Sequence, residues 1–135
     1  MKATGTFSVS SFDPTGVAPD PAITTALPVG VAVITKQFSG AIEGRSSTIF
    51  TAAFDQATGV GSYTAMESFD GRLDGVAGAF NFLHVASTSG SDRTNEFCVV
   101  VPGSGTGDLA GITGTGGLHV DADGVHHIWF DYELG

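Results

Sequence analysis

Basic residues are scarce in this chain. Lys2, Lys36, Arg45, Arg72 and Arg93 stand against 14 Asp and Glu, giving a formal net charge of -9 over 135 residues. Nucleic-acid binders draw most of their non-specific affinity from clustered Lys and Arg, and no two of these five are adjacent. DNA, RNA and anionic membrane surfaces are therefore not expected as partners. Cys98 is the single cysteine, which excludes an internal disulfide and a thiolate zinc cluster. No uninterrupted apolar run reaches the ~18 residues of a membrane-spanning helix. The opening Met1-Lys-Ala-Thr-Gly-Thr-Phe7 lacks the apolar core of ~7–15 residues that marks a secretory signal. A cytoplasmic location without membrane contact is the expectation. Charged residues are few as well, at 14% against ~25% in ordinary globular chains.

Glycine and phenylalanine, in contrast, are plentiful. There are 20 Gly and 10 Phe, and 41% of residues are hydrophobic, which argues against intrinsic disorder. A chain of about this size buries ~70% of its unfolded surface, enough for a real core. One domain over residues 1–135 is expected. The ruling signal is period two: in Ala3-Thr-Gly-Thr-Phe7-Ser-Val9-Ser10, odd positions are apolar or Gly and even positions are Ser or Thr. That alternation predicts a half-buried strand. Four of the five prolines fall between Pro14 and Pro28, so residues 13–22 read as an irregular excursion. A second strand is expected over 23–38, interrupted by Pro28 and best formed over 29–34, and further strands around 41–55, 60–73, 76–88, 94–102, 113–122 and 125–134. Turns at Ser39-Gly40, Asp74-Gly75 and Asp123-Gly124 link neighbours into an antiparallel meander. The expected fold is all-β: one closed, up-and-down, calycin-like barrel of about eight strands, since closure removes exposed edges.

Two-residue Asp-Gly loops fix register. A type I′ turn at Asp74-Gly75 sets Leu73 against Val76, Phe69 against Phe80, Glu67 against Phe82, Ala65 against His84 and Tyr63 against Ala86. One face then collects Tyr63, Phe69, Phe80 and Phe82 with two ionisable groups, Glu67 and His84, as diagonal neighbours with Cα atoms ~7–8 Å apart. The same reasoning at Asp123-Gly124 sets Gly117 against Phe130, His119 against Ile128 and Asp121 against His126. Ile128, Phe130, Tyr132 and Leu134 form the core stripe of the last strand.

Several constellations invite chemistry. Glu67 and His84 could serve as an acid–base pair, because burial moves a carboxyl into the working range, or they could form a structural ion pair. Tyr63 could hydrogen-bond a ligand oxygen or simply pack. Gly105-x-Gly107-x-x-Ala110 matches a dinucleotide fingerprint in letters but lacks the βαβ context, and no Lys or Arg follows Arg93. That loop reads instead as a cap plugging one barrel end with Leu109 and Ile112. His119, Asp121 and His126 have no established zinc spacing and sit at a hairpin tip, so no metal site is expected. Cys98 lies in an apolar strand and reads as a small hydrophobe. Ser104 lacks a hydrolase elbow. Lys36 and Glu43 would face each other on the surface across a Ser39-Gly40 turn.

The segment Val101-Pro-Gly-Ser-Gly-Thr-Gly-Asp-Leu-Ala-Gly-Ile-Thr-Gly114 resembles the signature of a bacterial family of small uncharacterised proteins with an allene oxide cyclase-like barrel. Matching pieces are Ala3-x-Gly-x-Phe7-x-Val9, Thr35-Lys-x-Phe-Ser-Gly-x-Ile-Glu-Gly44 and Asp131-Tyr132. Phe12 stands where a Trp is common. Glu67 and His84 fall where that family carries a Glu and a His. The resemblance implies an eight-stranded barrel with a cavity at one end, and no metal or organic cofactor. Three functions follow as expectations. The first is a barrel binding a small apolar or weakly polar ligand between Tyr63, Phe69, Phe80, Phe82 and Phe130. The second is a cofactor-free cyclase or isomerase using Glu67 and His84. The third is a structural barrel that forms homo-oligomers.

Overall fold

The alternating segments become eight strands in a computed structural model that describes residues 1–135. They are β1 (Lys2–Pro14), β2 (Val29–Gly40), β3 (Ile42–Asp55), β4 (Val60–Leu73), β5 (Val76–Ser89), β6 (Asp92–Val100), β7 (Ile112–Val120) and β8 (His126–Leu134). Each pairs antiparallel with the next, and β8 returns to β1, so the sheet closes into the expected barrel. The irregular excursion between β1 and β2 runs later and longer than expected, over residues 15–28, because β1 continues to Pro14 and β2 begins only after Pro28.

Turn chemistry sets the register on one side. Asp74 (φ 50°) and Gly75 (φ 82°) both adopt the positive φ that a type I′ turn demands. All five expected β4–β5 pairs, from Leu73 with Val76 to Tyr63 with Ala86, are present. The second hairpin departs from expectation by one residue. Asp121 Oδ1 accepts the backbone N–H groups of Asp123 and Val125, so the loop spans 121–125 rather than two residues. Phe130 therefore faces Gly116, not Gly117, while His119 faces His127 and Val120 faces His126. The inward stripe survives, because the correction moves β7 and leaves β8 in phase. Ile128, Phe130 and Tyr132 are buried. A Cβ on Gly116 would meet Phe130 Cδ1 at 2.9 Å, so only the bare backbone admits that ring.

One end of the barrel is packed solid. Phe7, Phe38, Phe69, Phe80, Phe82 and Phe130 interlock there with ring centroids 5.1–6.2 Å apart, a spacing that favours tilted and edge-on aromatic pairs. Beneath them Ile42, Leu73, Leu109 and Ile112 are wholly buried. Leu109 rides on a 3₁₀ turn at Gly107–Leu109, as expected for the capping loop. That loop runs along β5 beyond the end of β6. Val101 and Thr106 donate backbone N–H groups to Asn81 and Ala79, and Ser104 Oγ accepts from Asn81 N. It thus satisfies an edge that the short β6 leaves open. Closure is thinnest between β6 and β7, where Val99 opposite Thr115 is the lone ladder pair.

Truncating the plug tests this packing. Leu109→Ala should lower the unfolding free energy by ~2–5 kcal/mol in urea titration, whereas Thr113→Ala, on the exposed face of β7, should change it by less than ~0.5 kcal/mol.

Candidate functional site

The other end of the barrel is open. A cavity of about 430 Å³ lies there, walled chiefly by apolar groups such as Ile34, Phe50, Ala65 and Leu118. Two departures from regular pairing shape it. In β1, Val9 pairs with Lys36 but Ser11 pairs with Thr35, so Ser10 is an extra residue. That bulge reverses the alternation and sends Phe12, an even-numbered residue, to the inner wall that the odd-numbered Phe7 and Val9 already line. In β6, Phe97 pairs with Val85 and Thr94 with Ser87, leaving an extra residue around Asn95. Asn95 takes φ 53°, a left-handed conformation that Asn tolerates. The bulge brings Arg93 to the cavity wall and turns Glu96 toward His84.

A charged layer separates the open end from the packed one. Lys36 Nζ donates to Glu67 Oε2 at 3.1 Å, and Ser46 Oγ donates to Glu67 Oε1 at 2.7 Å. The Lys36 and Glu67 side chains are only 10% and 1% exposed, and the ammonium sits 4.7 Å from the centre of the Phe7 ring. The expected surface pairing of Lys36 with Glu43 is therefore corrected. In register, Lys36 faces Ser46 and Glu43 faces Arg72, because the last β2–β3 pair is Phe38 with Gly44, which leaves residues 39–43 between the paired strands instead of a two-residue turn. Thr48, opposite Glu67, keeps its buried Oγ1 without a partner in the same layer.

Glu67 and His84 do share the inner face, yet each side chain has its own partners. His84 Nε2 lies 3.2 Å from Glu96 Oε2, but off line for a hydrogen bond. Its Nδ1 is 3.4 Å from Tyr63 Oη, a long contact, and Arg93 Nε donates to that same Oη at 3.0 Å. Glu96 Oε1 also accepts the Leu118 N–H, filling part of the gap in the β6–β7 ladder. Burial pushes the His84 imidazole below its ordinary value, against the opposing pull of Glu96. His126, tilted against Phe7 at the cavity wall, is lowered by burial and by the charges of Arg93 and Lys36. Burial also raises the Tyr63 phenol, outweighing Arg93. At neutral pH the wall thus presents neutral imidazoles, an intact phenol and two cations.

The remaining expected residues divide cleanly. Of the aromatic walls named from sequence, Tyr63 lines the cavity, whereas Phe69, Phe80, Phe82 and Phe130 fill the packed end and are at most 2% exposed. His119, Asp121 and His126 do not converge. His119 stacks on His127 with ring centroids 4.6 Å apart, Asp121 binds His127 at 2.8 Å, and His126 points into the barrel. No three His, Cys, Asp or Glu side chains are grouped to hold a metal. Burial pushes the Cys98 thiol up to about 12, far from thiolate reactivity. Sequence reasoning passed over Arg93 and Glu96 and placed Lys36 on the surface. Lys36 carried a readable signal, being in phase with Ala32, Ile34 and Phe38.

Two tests follow. Lys36→Met strands Glu67 in the interior and should cost ~3–5 kcal/mol, while Lys36→Met combined with Glu67→Leu should recover most of that loss in urea titration. The histidines set the acid dependence. With folded pKa values below 6.5 for His84 and His126, the unfolded chain takes up protons first, so stability is full above 6.5 and falls as pH drops through it. Replacing His84 by Gln should flatten that fall in thermal melts recorded across the window.

Comparison with known proteins agrees with this architecture. No curated protein matches the chain. A solved structure from Shewanella oneidensis MR-1, described as a protein with unknown function from the DUF3224 family, is 28% identical, with a TM-score of 0.85 over 100% of this chain and 98% of that one. The family described as Protein of unknown function (DUF3224) matches residues 3–132, from the first inward residue of β1 to the buried tyrosine of β8. With all eight strands represented in that match, the chain belongs to the DUF3224 family.

Proposed function

We propose that the barrel binds a small molecule with an apolar body and an oxygen acceptor at one end. The observation that carries this reading is the mixed lining of the open cavity. Its walls are largely apolar, and Lys36, Tyr63 and Arg93 are among the hydrogen-bond donors that border it. A volume near 430 Å³ falls within the ~300–1,000 Å³ of small-molecule sites and equals the space of roughly 14 waters. Lys36 gives one of its three N–H groups to Glu67, and Arg93 gives its Nε–H to Tyr63. Both cations retain further donors. Arg93 polarises the Tyr63 hydroxyl, which makes that O–H a better donor to a ligand carbonyl or carboxylate.

The same wall favours one reading from the enzyme class, a cofactor-free isomerase. A neutral His84 beside the Tyr63 phenol could take a proton from one atom of a bound ligand while the phenol returns one to another. In that reading His84 and Tyr63 do the proton work, because Glu67 is engaged by Lys36 and Ser46.

Decanoic acid and decanol serve as probes in isothermal titration calorimetry. Both should bind, the acid more tightly. Arg93→Gln should weaken decanoate by about tenfold or more, as expected for a lost charged hydrogen bond, and leave decanol nearly unchanged. Ala52→Trp, which fills the cavity, should abolish both. Absence of binding by either probe, or binding indifferent to Ala52→Trp, overturns the reading.

A further inference from the structure

The outer face of the barrel carries an apolar belt. Along one cross-strand row Val33 faces Ile49, Ile49 faces Met66, Met66 faces Leu83 and Leu83 faces Val99, unbroken from β2 to β6. Two residues further along the strands, the next row runs Val31, Thr51, Thr64, Val85 and Phe97. Neither row contains a charged residue, although the chain carries a net charge of -9. Ile49, Met66 and Phe97 are 53%, 46% and 51% exposed. One flanking row turns polar, with Thr35, Ser47, Ser68 and Asn81; the other begins with Val29 and Ala53 and turns polar from β4 onward, with Ser62, Ser87 and Thr94. At its ends the main row meets Asp13 on β1 and Thr115 on β7.

From this arrangement we infer that the belt is the contact face of a homodimer. A contiguous apolar patch with a polar rim marks an interaction site rather than scattered surface hydrophobes. The occupant is a second copy for two reasons. First, the area suffices: Ile49, Met66 and Phe97 are about half exposed and the other five are partly exposed, so the eight apolar residues form a patch on the order of 500 Å². Two belts together then reach the ~1,000 Å² that a specific interface needs. Second, electrostatics selects a neutral face. A cationic partner would be drawn to carboxylates, and the belt offers none. Another copy's belt buries no charge and keeps the acidic groups of both chains at the periphery. The two faces meet around a two-fold axis as aligned sheets packing at about −30°, with Met66 and Ile49 nearest the axis.

Sedimentation velocity across a concentration series tests the inference. The wild-type chain should sediment with twice the chain mass. Met66→Glu and Ile49→Lys each place like charges across the two-fold and should weaken association by ~100-fold or more, while their melting temperatures at matched monomer concentration stay near wild type. Thr4→Glu, on the far side of the barrel between Lys2 and Trp129, should leave the dimer intact. A wild-type chain that stays monomeric at every concentration overturns the inference. So does a dimer that survives both belt substitutions. A monomer that binds phosphatidylcholine vesicles through Met66 also overturns it, in favour of a lipid surface.

Discussion

A buried ammonium–carboxylate pair organises this barrel. Neither Lys36 nor Glu67 tolerates the interior alone, since an unpaired buried charge costs several kcal/mol, and each is positioned by alternation on a different strand. Their meeting, with Ser46 on the strand between them, creates a polar layer across the middle of the barrel. Below it, six phenylalanines and a leucine plug leave no room for a ligand. Above it, the interior is lined but not filled. The same ammonium borders the cavity from beneath, so the group that closes the packed half also contributes a donor to the open one.

The open half differs from the packed half in how its strands pair. Regular two-residue alternation holds through the aromatic core. It fails in β1 at Ser10 and in β6 near Asn95, both flanking the cavity. An extra residue in each strand changes which side chains face inward, placing Phe12 and Arg93 on the wall. Functional groups are thereby concentrated where the ladder is least regular, a common use of bulges beside binding sites. The thin β6–β7 seam lies next to the same groups. There the Glu96 carboxylate both accepts from the Leu118 backbone and faces His84, coupling closure of the barrel to the polar wall.

The fold was legible wherever a local rule had one solution. Strict period two marked the strands, and the positive φ demanded at Asp74 and Gly75 fixed a register correct to the residue. Asp123-Gly124 looked equivalent, but the side chain two residues earlier captured the loop backbone and widened it. A dipeptide signature does not register such a competing bond. The aromatic face was located correctly and its role was not. Alternation tells which face is inward, not how far down the barrel a ring sits, so filling and lining residues look alike. Lys36 was readable from phase alone and was set aside as a surface lysine. Arg93 and Glu96 depend on a bulge whose only sequence trace is one Asn.

The division of the interior into a filled end and an accessible end can be observed directly by methyl-resolved NMR during titration with decanoic acid. The account predicts that shift changes concentrate at Ile34, Ala65 and Leu118 around the cavity, while Ile42, Leu73 and Ile112 beneath the aromatic layer stay put. Equal perturbation of both sets, or changes confined to the lower one, would contradict it.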